Sequence, residues 1–166
     1  ERAAGPNFSR FAFVFNAYVK ALKDQKTAET YMRASEEYLR FYNNYNRRLL
    51  WKWDHAECVY LSATVMPHKK KKAKAAMFAR YALAASKYSS LSKKHFDDPD
   101  AKNPDNKRFG KNWWLSMDKS IDCRIGQQSY ENLIAVMKTL TLKIGENKER
   151  REWFEGRLHD INDAMN

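Results

Sequence analysis

The chain has 166 residues, 43% of them hydrophobic and 14% aromatic, which is the length of one domain with enough apolar side chain for a sizeable core and excludes a disordered segment. Its 31 Lys and Arg against 20 Asp and Glu give a formal charge of +11, so the partners to expect are anionic: nucleic acid, lipid headgroups or an acidic protein surface. The two cysteines, Cys58 and Cys123, exclude a disulfide scaffold and read as reduced thiols, at least one of them in the core.

No glycine occurs between Gly5 and Gly110, and apolar residues recur there at three- and four-residue spacing, the period of a helix. Residues 1–7 read as a lead-in. The chain opens at Glu1 without methionine, as a processed or trimmed product would. Over residues 8–23, Phe11, Val14, Phe15, Tyr18, Val19 and Leu22 form one apolar stripe, which predicts a first helix. Asp24, Gln25 and Lys26 break it. Thr27 is the expected N-cap of a second helix running to Asn44, with Glu29 favourably placed in the first turn. Tyr31, Ala34, Tyr38, Leu39, Phe41 and Tyr42 make its inner face.

Asn43, Asn44 and Asn46 form a polar hinge before a third helix over 47–66, which Pro67 stops. A fourth helix is predicted over 69–95. It opens on a run of lysines and carries Ala73, Met77, Tyr81, Ala84 and Tyr88 inward, with Phe78 beside them. Two prolines and four aspartates mark a loop over 97–110. A short helix over 111–123 then carries Trp113, Trp114, Leu115 and Met117, and Gly126 is expected to break it. Ser129 caps a sixth helix over 130–144 that ends at Gly145 as a C′ glycine, and Asn147 caps a seventh to about Met165. No alternating pattern of useful length appears, so no sheet is expected and no apolar run is long enough to span a bilayer.

The expected fold is all-α: a single domain over 1–166 of about seven helices arranged as stacked helical hairpins. Three segments, starting near residues 13, 57 and 129, share the order apolar helix, short turn, charged second helix. Such a hairpin buries its apolar face only by stacking on a neighbour. The loop and the helix at 111–123 read as an insertion between the second and third hairpins. Stacked hairpins generally bind rather than catalyse.

The motifs of nucleotide-binding loops, serine hydrolases and zinc proteases do not occur, so no catalytic residue, cofactor or metal is assigned and the chain reads as a non-enzyme. His55, with Asp54, Glu57 and Cys58 close by, forms one loose local cluster of metal-ligating types. Asp97, Asp98 and Asp100 lack the glycine and distal glutamate of a calcium loop and read as a solvated turn. The strongest local signal is charge. From Cys58 to Phe96 there is no Asp or Glu, while Lys69, Lys70, Lys71, Lys72, Lys74, Arg80, Lys87, Lys93 and Lys94 are all present. Either water or an acidic partner offsets that block. Lys69, Lys70, Lys71, Lys72, Phe109, Trp113 and Trp114 are therefore the expected partner-binding residues. Adjacent tryptophans on a helix point about 100° apart, so one of Trp113 and Trp114 faces inward and the other is available. Trp51 and Trp53, beside Arg47, Arg48 and Lys52, either pack between helices or stack on single-stranded RNA.

The hairpins resemble degenerate pentatricopeptide repeats. FNAYVKAL at Phe15–Leu22 and YENLIAVM at Tyr130–Met137 match that family's first helix, with Asn16 and Asn132 before its apolar pair. Ala28 and the Trp153–Phe154 pair sit where its second helix turns inward. This resemblance implies a pentatricopeptide/tetratricopeptide-like right-handed array and an RNA-binding function. As a whole, the 19.6 kDa basic, all-helical chain also resembles the eighteen-kilodalton accessory subunits that euglenozoan parasites add to the catalytic head of mitochondrial ATP synthase. That likeness implies a structural role without nucleotide turnover. It also implies contact with the ATP synthase α subunits and neighbouring head subunits, on the matrix side of the inner membrane and peripheral to it.

Overall fold

The computed structural model describes residues 6–45, 49–92, 111–144 and 148–166. Seven helices follow one another: α1 (Pro6–Asp24), α2 (Ala28–Asn44), α3 (Leu49–Thr64), α4 (Lys71–Ser92), α5 (Lys111–Gly126), α6 (Tyr130–Ile144) and α7 (Lys148–Met165). The described residues contain no strand, and none of their helices is long and apolar enough to cross a membrane. The loop expected over 97–110, the C′ role of Gly145 and the cap at Asn147 lie outside the described residues.

Several helix ends follow from local chemistry. The Thr27 hydroxyl accepts a hydrogen bond from the Thr30 amide at 3.1 Å, and the Thr30 hydroxyl reaches back to the Thr27 amide at 3.3 Å. That reciprocal box satisfies two amides that the helix itself leaves unpaired. α3 ends at Thr64, two residues earlier than expected. A tightened turn from the Met66 amide to the Ala63 carbonyl, 3.2 Å, leads into Pro67. α4 is shorter at its start than the expected 69–95, because the Lys70 carbonyl takes the first helical bond from the Lys74 amide at 2.9 Å. Lys69 and Lys70 thus precede the helix, and Lys71 and Lys72 open it.

Gly126 does not break α5 but is its last residue. The reversal falls at Gln128, which holds the left-handed conformation with φ 58°. Around it the Ser129 amide donates to the Arg124 carbonyl at 3.1 Å and the Gln128 amide to the Ile125 carbonyl at 2.9 Å, a Schellman closure with Gln128 as the C′ residue. Ser129 then starts α6 as expected, its carbonyl accepting from the Leu133 amide at 3.1 Å.

The buried side chains fall into three clusters, each built by three consecutive helices. Phe15, Val19 and Leu22 of α1 meet Ala34, Tyr38 and Phe41 of α2 and Cys58 of α3. Ala56 and Val59 of α3 meet Ala84, Ala85, Tyr88 and Leu91 of α4 and Cys123 of α5. Trp114 and Ile121 of α5 meet Leu133, Met137 and Leu140 of α6 and Phe154 and Ile161 of α7. α3 and α5 therefore each serve two cores. This corrects the reading of the helix at 111–123 as an insertion: α5 packs extensively on α4 and walls off the second core from the third. The most extensive packing, α2 on α3 and α4 on α5, also lies between the expected hairpins rather than within them.

Polar links tie the same helices together. The Tyr88 hydroxyl of α4 donates to Glu57 of α3, and Lys119 of α5 reaches the same carboxylate at 3.4 Å. From α7, Arg150 pairs with Asp118 at 3.2 Å and Arg157 pairs with Asp122. The two aspartates stand one helical turn apart on α5, so both arginines meet a single face.

Candidate functional site

The lysine run is built by the turn between α3 and α4. Lys69, Lys70, Lys71 and Lys72 are all exposed there, and no carboxylate of the described residues forms an ion pair with them. Two of these charges sit in the first turn of α4, which holds no acidic residue. The positive end of the helix dipole faces them, so the corner is electrostatically uphill by a few tenths of a kcal/mol per lysine. The remaining basic residues of the acid-free stretch have different surroundings. Lys74 lies 5.3 Å from the Phe78 ring centre. Arg80 turns to the buried Ser62 hydroxyl at 3.0 Å. Lys87 lines a cavity with Lys52. Lys93 and Lys94 lie outside the described residues.

The aromatic candidates separate. Phe109 lies outside the described residues. Trp113 is placed on α5, but its side chain is not among those described. Trp114, expected at a partner surface, is a core residue, 8% exposed, with the Arg150 guanidinium 4.8 Å from its ring centre. Trp51 packs among Phe15, Tyr38 and Phe41 at 5.9, 6.1 and 4.9 Å. Trp53 sits edge-on to Tyr88 at 5.0 Å. Both indoles are half-buried, so helix packing, one of the two readings of this pair, is what the structure shows. Arg47 and Arg48 lie outside the described residues.

One surface was missed in the sequence. The apolar stripe of α1 is only partly covered, because α2 packs along one side of it. Phe15, Val19 and Leu22 are buried, while Phe13 is 75% and Val14 63% exposed, with Tyr18 beside them also exposed. Phe11 is partly covered by Phe41 and Tyr45, with ring centres at 5.8 and 4.8 Å. The available signal was width: six stripe positions plus Phe13 exceed what one neighbouring helix can cover.

The local cluster around His55 does not converge. The His55 Nδ1 engages Ser35 on α2, at 2.7 Å from the hydroxyl and 2.9 Å from the carbonyl. Glu57 takes Tyr88 and Lys119. Cys58 faces the first core, and burial, helped by the Asp54 and Glu57 charges and opposed by Lys23, pushes its thiol up to about 12. Burial also raises the Asp54 carboxyl above its ordinary value and lowers the His55 imidazole. Among the described residues no three His, Cys, Asp or Glu side chains are grouped to hold a metal ion. Asp97, Asp98 and Asp100 lie outside them.

These features define an all-α chain of helices packed in repeat-like succession, with a basic corner and an uncovered apolar face. No protein-family profile, curated protein or solved structure matches it.

Proposed function

We propose that the chain is a non-catalytic accessory subunit that docks on the outside of the mitochondrial ATP synthase catalytic head, against the α subunits. The whole-chain resemblance motivates this reading. The observation that carries it is the exposed Lys69–Lys72 corner, whose charge repulsion and opposed helix dipole an acidic protein surface would relieve together. The open face of α1, with Phe13 and Val14, supplies apolar area of the kind a stable protein contact buries.

The same lysines also suit an RNA-binding helical repeat, the second reading. That reading calls for aromatic side chains free to stack on bases; the tryptophans Trp51, Trp53 and Trp114 are taken up in helix packing, which leaves it the exposed rings of α1, Phe13 and Tyr18. The protein reading is preferred for that reason.

A mild pull-down from the native source, with and without nuclease, separates the two. Recovery of α and β subunits near one copy per α, unchanged by nuclease, is the expected result. A purified ATP synthase lacking this chain at stoichiometric level would overturn the proposal. Loss of all partners on nuclease treatment would give the RNA reading its place, together with affinity that falls steeply with salt.

A further inference from the structure

Phe13 and Val14 are the two most exposed large hydrophobic side chains among the described residues, and they are neighbours on α1. Phe15, Val19 and Leu22 turn to the first core. At about 100° per residue, the other side of the helix carries Val14, Ala17 and Ala21, with Phe13 on one flank and Tyr18 on the other. All five are exposed. Among the described residues only α2 packs extensively on α1. By their exposed fractions, Phe11, Phe13, Val14 and Tyr18 present on the order of 400 Å² of side chain to solvent.

The charges on this face point to what covers it. Arg10 and Asp24 stand seven residues before and seven residues after Ala17. Seven residues fall within about 20° of two whole turns, so the three positions lie nearly in line. Arg10 is exposed. Asp24 is exposed as well and holds Lys20 of its own helix at 2.6 Å. A second α1 laid antiparallel about Ala17 sets Arg10 against Asp24 at both ends, and Phe13 over the small Ala21. A parallel partner would set Arg10 against Arg10 and Asp24 against Asp24. The helix is therefore complementary to its own reversed copy, the arrangement that a two-fold axis between identical chains requires.

We infer that the free chain pairs with a second copy of itself through the open face of α1, the two helices antiparallel and crossing at Ala17. Ala17 and Ala21 let the axes approach to the roughly 8–10 Å of packed helices. The Lys20 stem covers Val14 of the other copy while its ammonium stays in water. Two such faces bring together on the order of 800 Å² of side chain, short of the roughly 1,200–2,000 Å² of stable complexes. The pair is therefore weak and forms by mass action. This inference concerns the chain free of other partners and does not rest on the docking reading. Under the proposed function, a copy whose α1 is held by the ATP synthase head is unavailable for pairing.

The test is sedimentation of the full chain from roughly 5 to 500 µM, a range that spans weak association, in salt that screens the +11 charges beyond about 8 Å. The mass is expected to rise from one chain towards two. Phe13→Ser with Val14→Ser, both at exposed positions, is expected to keep the chain monomeric without lowering its melting temperature. Arg10→Asp is expected to weaken pairing at least about fivefold, since two repulsive contacts replace two attractive ones. Adding Asp24→Arg to that variant is expected to restore it. Under a mild oxidant, Arg10→Cys and Asp24→Cys copies are expected to cross-link when mixed, and neither with itself. A monomer at the highest concentration would overturn the inference, as would undiminished pairing in the Phe13 and Val14 variant. So would cross-linking of each cysteine variant with itself and not with the other, the signature of a parallel pair.

Discussion

A Cβ atom built on Gly126 would stand 2.6 Å from Cζ of Tyr81 and under 3 Å from both Cε atoms of that ring. Glycine is required there by the ring of a neighbouring helix and not by its own backbone. Tyr81 in turn lies 5.9 Å from Tyr60, ring centre to ring centre, at the α3–α4 contact. Gly126→Ala gains about 1 kcal/mol of helix propensity but displaces the ring, at about 1–3 kcal/mol. The expected net result is a lower denaturation midpoint. In a Tyr81→Ala background the same change should be neutral or stabilising. A cycle of four proteins in urea measures the coupling, and additive effects would show that the ring moves aside freely.

Two residues on, Gln128 occupies the left-handed conformation that glycine favours. Gln128→Gly should raise stability by about 0.5–1 kcal/mol, because it removes side-chain strain in a turn whose hydrogen bonds stay in place. Thermal unfolding of the pair of single variants is the check. The two glycine changes are expected to have opposite signs, and matching signs would contradict this account of the turn.

That turn shows what was legible and what was not. The sequence locates the chain reversal between α5 and α6, but glycine suggests it two residues early, because a glycine needed for close approach looks like a glycine needed for a turn. Thr27, Tyr31, Ala34, Tyr38 and Phe41 of α2 were readable since one side of that helix is buried and the stripe is narrow, although Leu39 and Tyr42 are only half-buried. α5 misled for the opposite reason. A helix shared by two cores puts Ile121 and Cys123 on different sides, and periodicity then shows no single stripe. The lysine corner was visible as composition. The open face of α1 was not, since the exposure of Phe13, Val14 and Tyr18 depends on how α2 packs across that helix.

His55 sets an expected acid limb. Its imidazole is held below the ordinary value of 6.5, first by burial, so the unfolded chain takes up a proton before the native one. Stability is then full above pH 6.5 and declines as pH falls from there, with a limiting slope of about 1.4 kcal/mol per pH unit. Asp54 and Asp118, both raised by burial despite Lys23 near the first and Arg150 paired with the second, act in the other direction at lower pH, above 3.8. Urea midpoints at pH 7.5, 6.5 and 5.5 in phosphate-free buffer test this. His55→Gln should flatten the decline, and an unchanged slope would assign it to other groups.

The cysteines predict an alkaline limb. Burial, with Asp54 and Glu57 and against Lys23, pushes Cys58 up to about 12; burial, with Asp122 and Glu57 and against Lys119 and Arg124, does the same for Cys123. The unfolded thiols ionise from about pH 9, the native ones do not, and stability falls as pH rises through that interval. At pH 8 both thiols should react with a disulfide reagent only as fast as the chain opens. Rapid labelling of either one without denaturant would contradict its burial.

Lys71 and Lys72 should separate folding from docking. Lys71→Glu with Lys72→Glu turns an opposed dipole into a favourable one and should stabilise the isolated chain by a few tenths of a kcal/mol per site. Under the proposed function the same variant should lose its place on the ATP synthase head. A thermal melt and a co-purification on one preparation report both effects. Retained assembly would move the docking surface away from this corner.

The double membership of α3 and α5 has a consequence for how the molecule opens. Neither helix can leave without dissolving two cores at once, whereas α1 and α7 each belong to one. Amide hydrogens in the middle of α3 and α5 should therefore exchange only through near-global unfolding, while those of α1 and α7 escape by local fraying. Cooperativity in this chain is carried from one end to the other by its two shared helices, so a load applied to α1 would be felt in the second core through α3 before any strain reached α7.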